Sequence, residues 1–257
     1  MSERLNGQRV LVTGAASGIG AAAVEVLAAA GATITATYRQ TPPPTELTRS
    51  ATWLACDFRE PADADQAVEE AVAIMGGLDV LIHAAGRWSA GVPGELSADD
   101  LETMFATNVK ATVYADQAAF RHMKDRGGRI VNFGSSEGVS GMALSAGYAT
   151  AKGAVHSWTR SAARAWGPHS VTVNAVLPAV ETPATDRLRA SLGPQGAAAL
   201  AQQMTQRMAV PSSLGPGALG DPVRDLGPVL VFLASPESRF ITGQLLSVNG
   251  GLLMLGA

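Results

Sequence analysis

The chain has 257 residues, 16% of them charged, and a formal net charge of −3, which gives no clustered basic surface for nucleic acid or an anionic membrane. Its length suits one large domain over 1–257, and 47% hydrophobic residues supply ample core. No apolar run approaches the roughly 18 residues of a membrane span, the polar start at Met1 to Asn6 lacks a secretory apolar stretch, and the lone Cys56 excludes an intrachain disulfide. A cytoplasmic, reducing setting is therefore expected, with Cys56 read as a small buried residue at a strand end. No metal site is expected.

Apolar strands and helical runs then alternate along the chain. Residues 10–13 read as a first strand, and 18–30 as a helix closed by Gly31. A second strand covers 32–38. Three consecutive prolines place a loop at 41–45. A short third strand covers 52–56, followed by a helix at 62–75 and a fourth strand at 78–83. Ser97 is expected to cap a long helical region to about residue 126, with Asp99 and Asp100 in its first turn. A fifth strand covers 128–134, a helix 147–166 and a sixth strand 171–176. Asp221 followed by Pro222 starts a helix to about residue 234, which Gly227 and Pro228 should weaken or kink. The last strand covers 244–248.

The fourth to sixth strands are continuously apolar, as strands covered on both faces are. Short connections between strands and helices give an α/β fold, a doubly wound parallel sheet. One long irregular stretch, 179–220, is rich in Ala, Leu, Gly, Pro and Gln. It is expected to be a partly helical substrate lid.

Three motifs carry chemistry. Thr13, Gly14, Ser17, Gly18, Ile19 and Gly20 form a glycine turn between the first strand and its helix. Such a turn brings backbone N–H groups and a helix N-terminus to a phosphate. Tyr148 and Lys152 stand four apart, on one face of a helix. An ammonium beside a phenol lowers its pKa, so the pair can move a proton to or from an alcohol oxygen. Ser135 ends the fifth strand, where a hydroxyl can bond a carbonyl as charge develops on it.

With Asn108 added, the order and spacing of these motifs resemble the classical short-chain dehydrogenase/reductase family. The closing residues Thr242, Gly243, Gln244 and Val248, Asn249, Gly250, Gly251 resemble its last segment as well. The resemblance implies a Rossmann-type sheet of about seven strands with helices on both faces. It also implies hydride transfer between a nicotinamide cofactor and a carbonyl or alcohol, and association as a homotetramer or homodimer. Tyr148 would be the general acid/base, Lys152 would lower its pKa and hold the nicotinamide ribose, Ser135 would polarise the substrate oxygen, and Asn108 would support a proton relay. Cofactor contacts would come from Gly14, Ser17, Gly18, Ile19, Gly20, Asp57, Ala84, Ala85, Gly86, Pro178, Val180 and Thr182.

The chain departs from the family pattern at His83, where an asparagine is usual, and at Ala179 after Pro178, where a glycine is usual. His83 is read as a packed strand-end residue. At the end of the second strand, Thr37, Tyr38, Arg39 and Gln40 include no acid. NAD-specific enzymes place a carboxylate there for the ribose 2′-hydroxyl, whereas Arg39 offers a planar charged fork suited to phosphate. NADP(H) is therefore expected over NAD(H). Trp88, Glu137, Met142 and Leu144 should line the substrate pocket with Leu188, Met204 and Met208, which points to a hydrophobic ketone or secondary alcohol. Arg187, Arg189 and Arg207 are candidates for an acidic substrate group. The rival readings are an NAD-linked alcohol dehydrogenase and a non-catalytic cofactor-binding regulatory protein on the same fold.

Overall fold

Seven strands form one parallel sheet in the order β3-β2-β1-β4-β5-β6-β7. They are β1 (Arg9–Thr13), β2 (Thr33–Tyr38), β3 (Thr52–Ala55), β4 (Val80–His83), β5 (Gly128–Phe133), β6 (Val171–Pro178) and β7 (Leu245–Val248). This computed structural model describes residues 4–255; residues 1–3 and 256–257 of the expected domain lie outside that range. Strand order reverses beside β1, where Val10 pairs with Val80 and Thr13 with His83. In an open α/β sheet, such a switch point opens a crevice at the carboxyl ends of the strands.

Helices cover both faces. Alternate residues of the central strands point to opposite sides. Val10, Val12 and Ile82 join one buried cluster with residues of α1 (Gly18–Ala29) and α8 (Gly227–Ala234). Leu11, Leu81 and Ile130 join the other, with residues of α2 (Pro61–Met75), α4 (Ala111–Met123) and α6 (Ala146–Trp166). Burial on both faces is why these strands read as unbroken apolar runs.

Three helical segments refine the expectation. The region from Ser97 begins as read, with Ser97 and Asp100 in a reciprocal capping box. It is then divided into α3 (Ala98–Met104) and α4 by a π-turn over Phe105–Lys110 that carries Asn108. The stretch 179–220 is partly helical as expected, with the helix running over Pro183–Arg207. Thr182 caps α7 (Pro183–Arg207) through Thr185, Pro183 takes the first turn, and the helix breaks only at Gly193, φ 67° and ψ 176°, before Pro194. Lastly, the weak point at Gly227 and Pro228 appears as a π-turn over Pro222–Leu226 that hands over to α8. A four-residue helix, α5 (Glu137–Ser140), follows β5. Among the described residues no helix is long and apolar enough to cross a membrane.

Candidate active site

The glycine turn sits at the switch point. Gly14 adopts φ 62°, and a Cβ there would lie 2.6 Å from Ala85 Cα. A Cβ on Gly20 would lie 2.3 Å from the Gly14 carbonyl oxygen. Only hydrogen fits at either position, so the turn closes directly onto the segment after β4. A crevice of about 890 Å³ opens from this turn. It is lined by Gly14, Ser17, Gly18, Ile19 and Gly20, by Arg39 and Asp57, by Ala84, Ala85, Gly86 and Trp88, and by Thr182. The volume lies in the usual range for ligand sites. Glycines without room for a Cβ, main-chain N–H groups and a helix N-terminus at its floor fit a dinucleotide pyrophosphate.

Beyond Gly86 of that lining, the π-turn, the loop after β5 and α6 bring the expected catalytic residues together. Asn108 is buried in the π-turn; its amide donates to the Arg87 and Met104 carbonyls at 3.0 and 3.1 Å and accepts from the Arg87 N–H at 3.1 Å. A Cβ on Gly86 would lie 3.0 Å from Asn108 Oδ1 and 3.6 Å from Lys152 Nζ, so only this bare glycine separates the two groups. Lys152 is buried and donates to the Phe133 carbonyl at 2.8 Å. Its ammonium lies 5.6 Å from the Tyr148 ring centre. The Ser135 side chain stands by the Tyr148 phenol and draws its pKa down, and Ser135 Oγ accepts the Glu137 N–H at 3.1 Å.

The electrostatics correct one expectation. Lys152 was expected to lower the Tyr148 pKa. Instead, burial and the nearby Glu137 carboxylate push the Tyr148 phenol above its ordinary range, and Ser135 offsets this only in part. Lys152 itself is pulled down to about 8 by burial. Two histidines are held neutral beside it. Burial and the Lys152 charge lower His83 to about 3, and His156 to about 4 with Arg160 contributing. His83 is the packed strand-end residue expected, with Nδ1 3.0 Å from Thr13 Oγ1.

The substrate side differs more. Glu137 is half-buried and accepts a hydrogen bond from Ser145 Oγ; burial pushes its carboxyl up, which Ser145 and the nearby Trp88 side chain offset in part. Met142 and Leu144 are 44% and 66% exposed, and they lie outside the crevice lining. Leu188 lines the crevice with Arg187. Met204 is buried in the fold, and Met208 packs at Gly250. Arg189 is held by Glu181, and Arg207 is exposed outside the lining. Pro178 ends β6 and Val180 is buried beside Gly220, so neither lines the crevice. A smaller cavity of about 110 Å³ adjoins Tyr148; its lining includes Arg87, Ser89, Asp100 and Thr103, and is less apolar than expected. Cys56 is half-buried in the crevice wall rather than in the core, and burial pushes its thiol up to about 12.

Comparison with known proteins agrees with this geometry. A family model described as enoyl-(acyl carrier protein) reductase matches residues 14–253. The short-chain reductase protein NovJ of Streptomyces niveus is 36% identical over 251 residues, 94% of this chain and 92% of its own. The chain belongs to the short-chain dehydrogenase/reductase family. It is also 35% identical to the 3-oxoacyl-[acyl-carrier-protein] reductase FabG of Vibrio cholerae, over 98% of this chain and 99% of that one. Two solved members cover 97% of the chain and 99% of their own at a TM-score of 0.81. One is a short-chain dehydrogenase/reductase from Serratia marcescens at 34% identity, the other a short-chain dehydrogenase from Burkholderia cenocepacia, in complex with NADP, at 33%.

As a short-chain dehydrogenase/reductase the chain is an oxidoreductase, and sequence reasoning passed over two of its site residues. His156 lies one further turn along α6, four beyond Lys152, and its Nε2 accepts the Ser135 N–H at 3.2 Å. The 148, 152, 156 spacing was the available signal. Arg59, two residues after Asp57, grips that carboxylate and lines the crevice with it.

Proposed function

We propose that this short-chain dehydrogenase/reductase is an NADP(H)-dependent ketoreductase in which Asn108, Ser135, Tyr148 and Lys152 are the catalytic residues. The observation that carries this reading is that Asn108 Oδ1 and Lys152 Nζ close on Gly86, a residue of the crevice lining that begins at the glycine turn, while Tyr148 lines the smaller cavity that adjoins it. The substrate is a ketone or secondary alcohol with an apolar body. The names of the FabG relatives make 3-oxoacyl thioesters the first class to test. The 1–257 chain acts as one dinucleotide-binding catalytic domain with α7 as its lid, in a homotetramer or homodimer.

The cofactor supplies or takes the hydride when bound. The glycine turn and the N-terminus of α1 hold its pyrophosphate, the segment at Ala84 to Gly86 flanks it, and Thr182 covers it from the lid. Arg39, which lines the crevice, receives the 2′-phosphate; the choice of NADP(H) itself is supported by the NADP complex of the Burkholderia cenocepacia relative. Ser135 orients the substrate oxygen towards Tyr148. Because its phenol stays protonated through neutral pH, Tyr148 is set to donate, which suits reduction. Lys152 and Asn108, separated only by Gly86, return the proton. Trp88 and Glu137 shape the substrate end.

Tyr148→Phe tests the mechanism. Turnover of NADPH with a 3-oxoacyl thioester should fall by about 10²–10⁴, while dinucleotide affinity measured by calorimetry stays near wild type. Unchanged turnover would remove Tyr148 from the mechanism. Arg39→Asp tests the cofactor: the NADPH over NADH ratio of kcat/KM should fall steeply, and a constant ratio would reject Arg39 as the phosphate partner.

A further inference from the structure

The adenosine end of the crevice holds one carboxylate, and it is not free. β2 and β3 run side by side with Tyr38 level with Ala55, and the Cys56 N–H closes on the Tyr38 carbonyl at 2.9 Å. The residues that follow these strands, Arg39 and Asp57, leave the sheet edge together, and both line the crevice. Among the described residues, Asp57 is the only acidic one in that lining. An uncompensated carboxylate there repels a ribose 2′-phosphate.

Arg59 meets Asp57 with a planar fork. Its Nε lies 2.9 and 3.0 Å from the two carboxylate oxygens, Nη2 also bonds Oδ2, and the Arg59 N–H donates to Oδ1 at 3.2 Å. The bonds from Arg59 hold the Asp57 carboxyl below its usual range, and the Arg39 charge adds a smaller pull in the same direction. Arg39, in contrast, enters no ion pair among the described residues. The Arg59 and Asp57 side chains are 44% and 25% exposed. Ion pairs this exposed add little stability, so the pair's effect is to be sought in the crevice.

We propose that Arg59 is a specificity-determining residue for the phosphorylated dinucleotide. It holds Asp57 in a fork, neutralises the one carboxylate of the adenosine end, and leaves Arg39 unopposed for a 2′-phosphate. The proposal rests on the NADP(H) reading given above.

The probes are 2′,5′-ADP and 5′-AMP, which differ only by the 2′-phosphate. Their dissociation constants, measured by calorimetry on the full chain, give a ratio in which any adenine contact cancels. Wild type should favour 2′,5′-ADP. Arg59→Ala should reduce that preference about tenfold by exposing Asp57. Asp57→Asn should keep or raise it. The double variant should return to the wild-type ratio, and kcat/KM for NADPH over NADH should follow the same order. A ratio unchanged in Arg59→Ala overturns the proposal. A double variant as weak as Arg59→Ala also overturns it, because Arg59 would then meet the phosphate itself. A wild type without preference for 2′,5′-ADP overturns the cofactor reading and this proposal with it; a selective wild type with an indifferent Arg59 overturns this proposal alone.

Discussion

At the glycine-turn end of the crevice, position is decided by main chain: Gly14 and Gly20 approach backbone so closely that no side chain fits. The charged groups of that end, Arg39 and the Arg59 and Asp57 pair, stand at the surface. At the Tyr148 end, position is decided by buried side chains bonded to one another and to carbonyls, namely Asn108, Lys152, Ser135 and His156. Burial there also sets protonation, keeping His83 and His156 neutral and Tyr148 a phenol. The two ends should therefore fail differently: the first through sterics and stability, the second through proton transfer at nearly intact stability.

The largest expected effect breaks the first end. Gly14→Ala places a Cβ 2.6 Å from Ala85 Cα at φ 62°. A left-handed non-glycine residue costs roughly 1–2 kcal/mol, and overpacking typically adds about 1–3 kcal/mol. Urea denaturation should show a loss of about 2–5 kcal/mol, together with weaker binding of 2′,5′-ADP. A midpoint equal to wild type would mean that the turn can open away from Ala85 without penalty.

A smaller effect is expected at the second end. The His156 ring lies in a slot between two glycines: a Cβ on Gly134 would meet its Nε2 at 2.3 Å, and one on Gly138 its Cε1 at 2.8 Å. His156 acts as a positioning residue, accepting the N–H of Ser135. His156→Leu removes that acceptor and leaves a buried donor unmatched, a penalty of about 1–3 kcal/mol. We expect about a tenfold fall in kcat with cofactor affinity preserved, and recovery in His156→Gln, whose carbonyl can accept. If Leu and Gln lose activity equally, the slot matters for shape alone. Because His156 is lowered to about 4, the acceptor persists through neutral pH and is lost only in acid below that value.

This division also explains what could be read from the chain. Backbone sterics leave glycines in the sequence, so the turn was legible, as were the alternation of strands and helices and the Tyr148 to Lys152 helix. The lid was legible only as a partly helical stretch: its opening signal, Thr182 then Pro183, was passed over, and Gly193, Pro194 and the Ala and Gln run after them gave no apolar period to delimit it. Met142 and Leu144 are apolar by type, yet they sit in the turn after α5 and point outward; exposure of loop residues depends on how a chain turns, which composition does not encode. The raised Tyr148 pKa could not be read either, because it follows from burial and from Glu137, brought beside the phenol by folding.

The smallest effect sharpens the comparison beneath the site. Asp116 of α4 is buried, and its Oδ2 accepts from Asn132 Nδ2 at 2.8 Å and Trp158 Nε1 at 2.7 Å. Asp116 Oδ1 and Asn132 Oδ1 have no hydrogen-bond partner among the described residues. Two buried acceptors left over from an acid and an amide are those that one proton, carried by Asp116, can join. Burial pushes Asp116 up to about 7, far above an unfolded aspartate near 4. A folded pKa above the unfolded one gives stability that is full below about pH 4 and is lost as pH rises through about 7. Asp116→Asn supplies a fixed N–H in place of that proton. Wild type and variant should differ little at pH 5, and the variant should gain about 1–3 kcal/mol by pH 8, read from urea denaturation at each pH. Parallel curves would show that Asp116 is ionised at both. A widening gap would show that the polar groups under Asn132, one residue before the carbonyl that receives Lys152, are kept uncharged by burial, as His83 and His156 are above them.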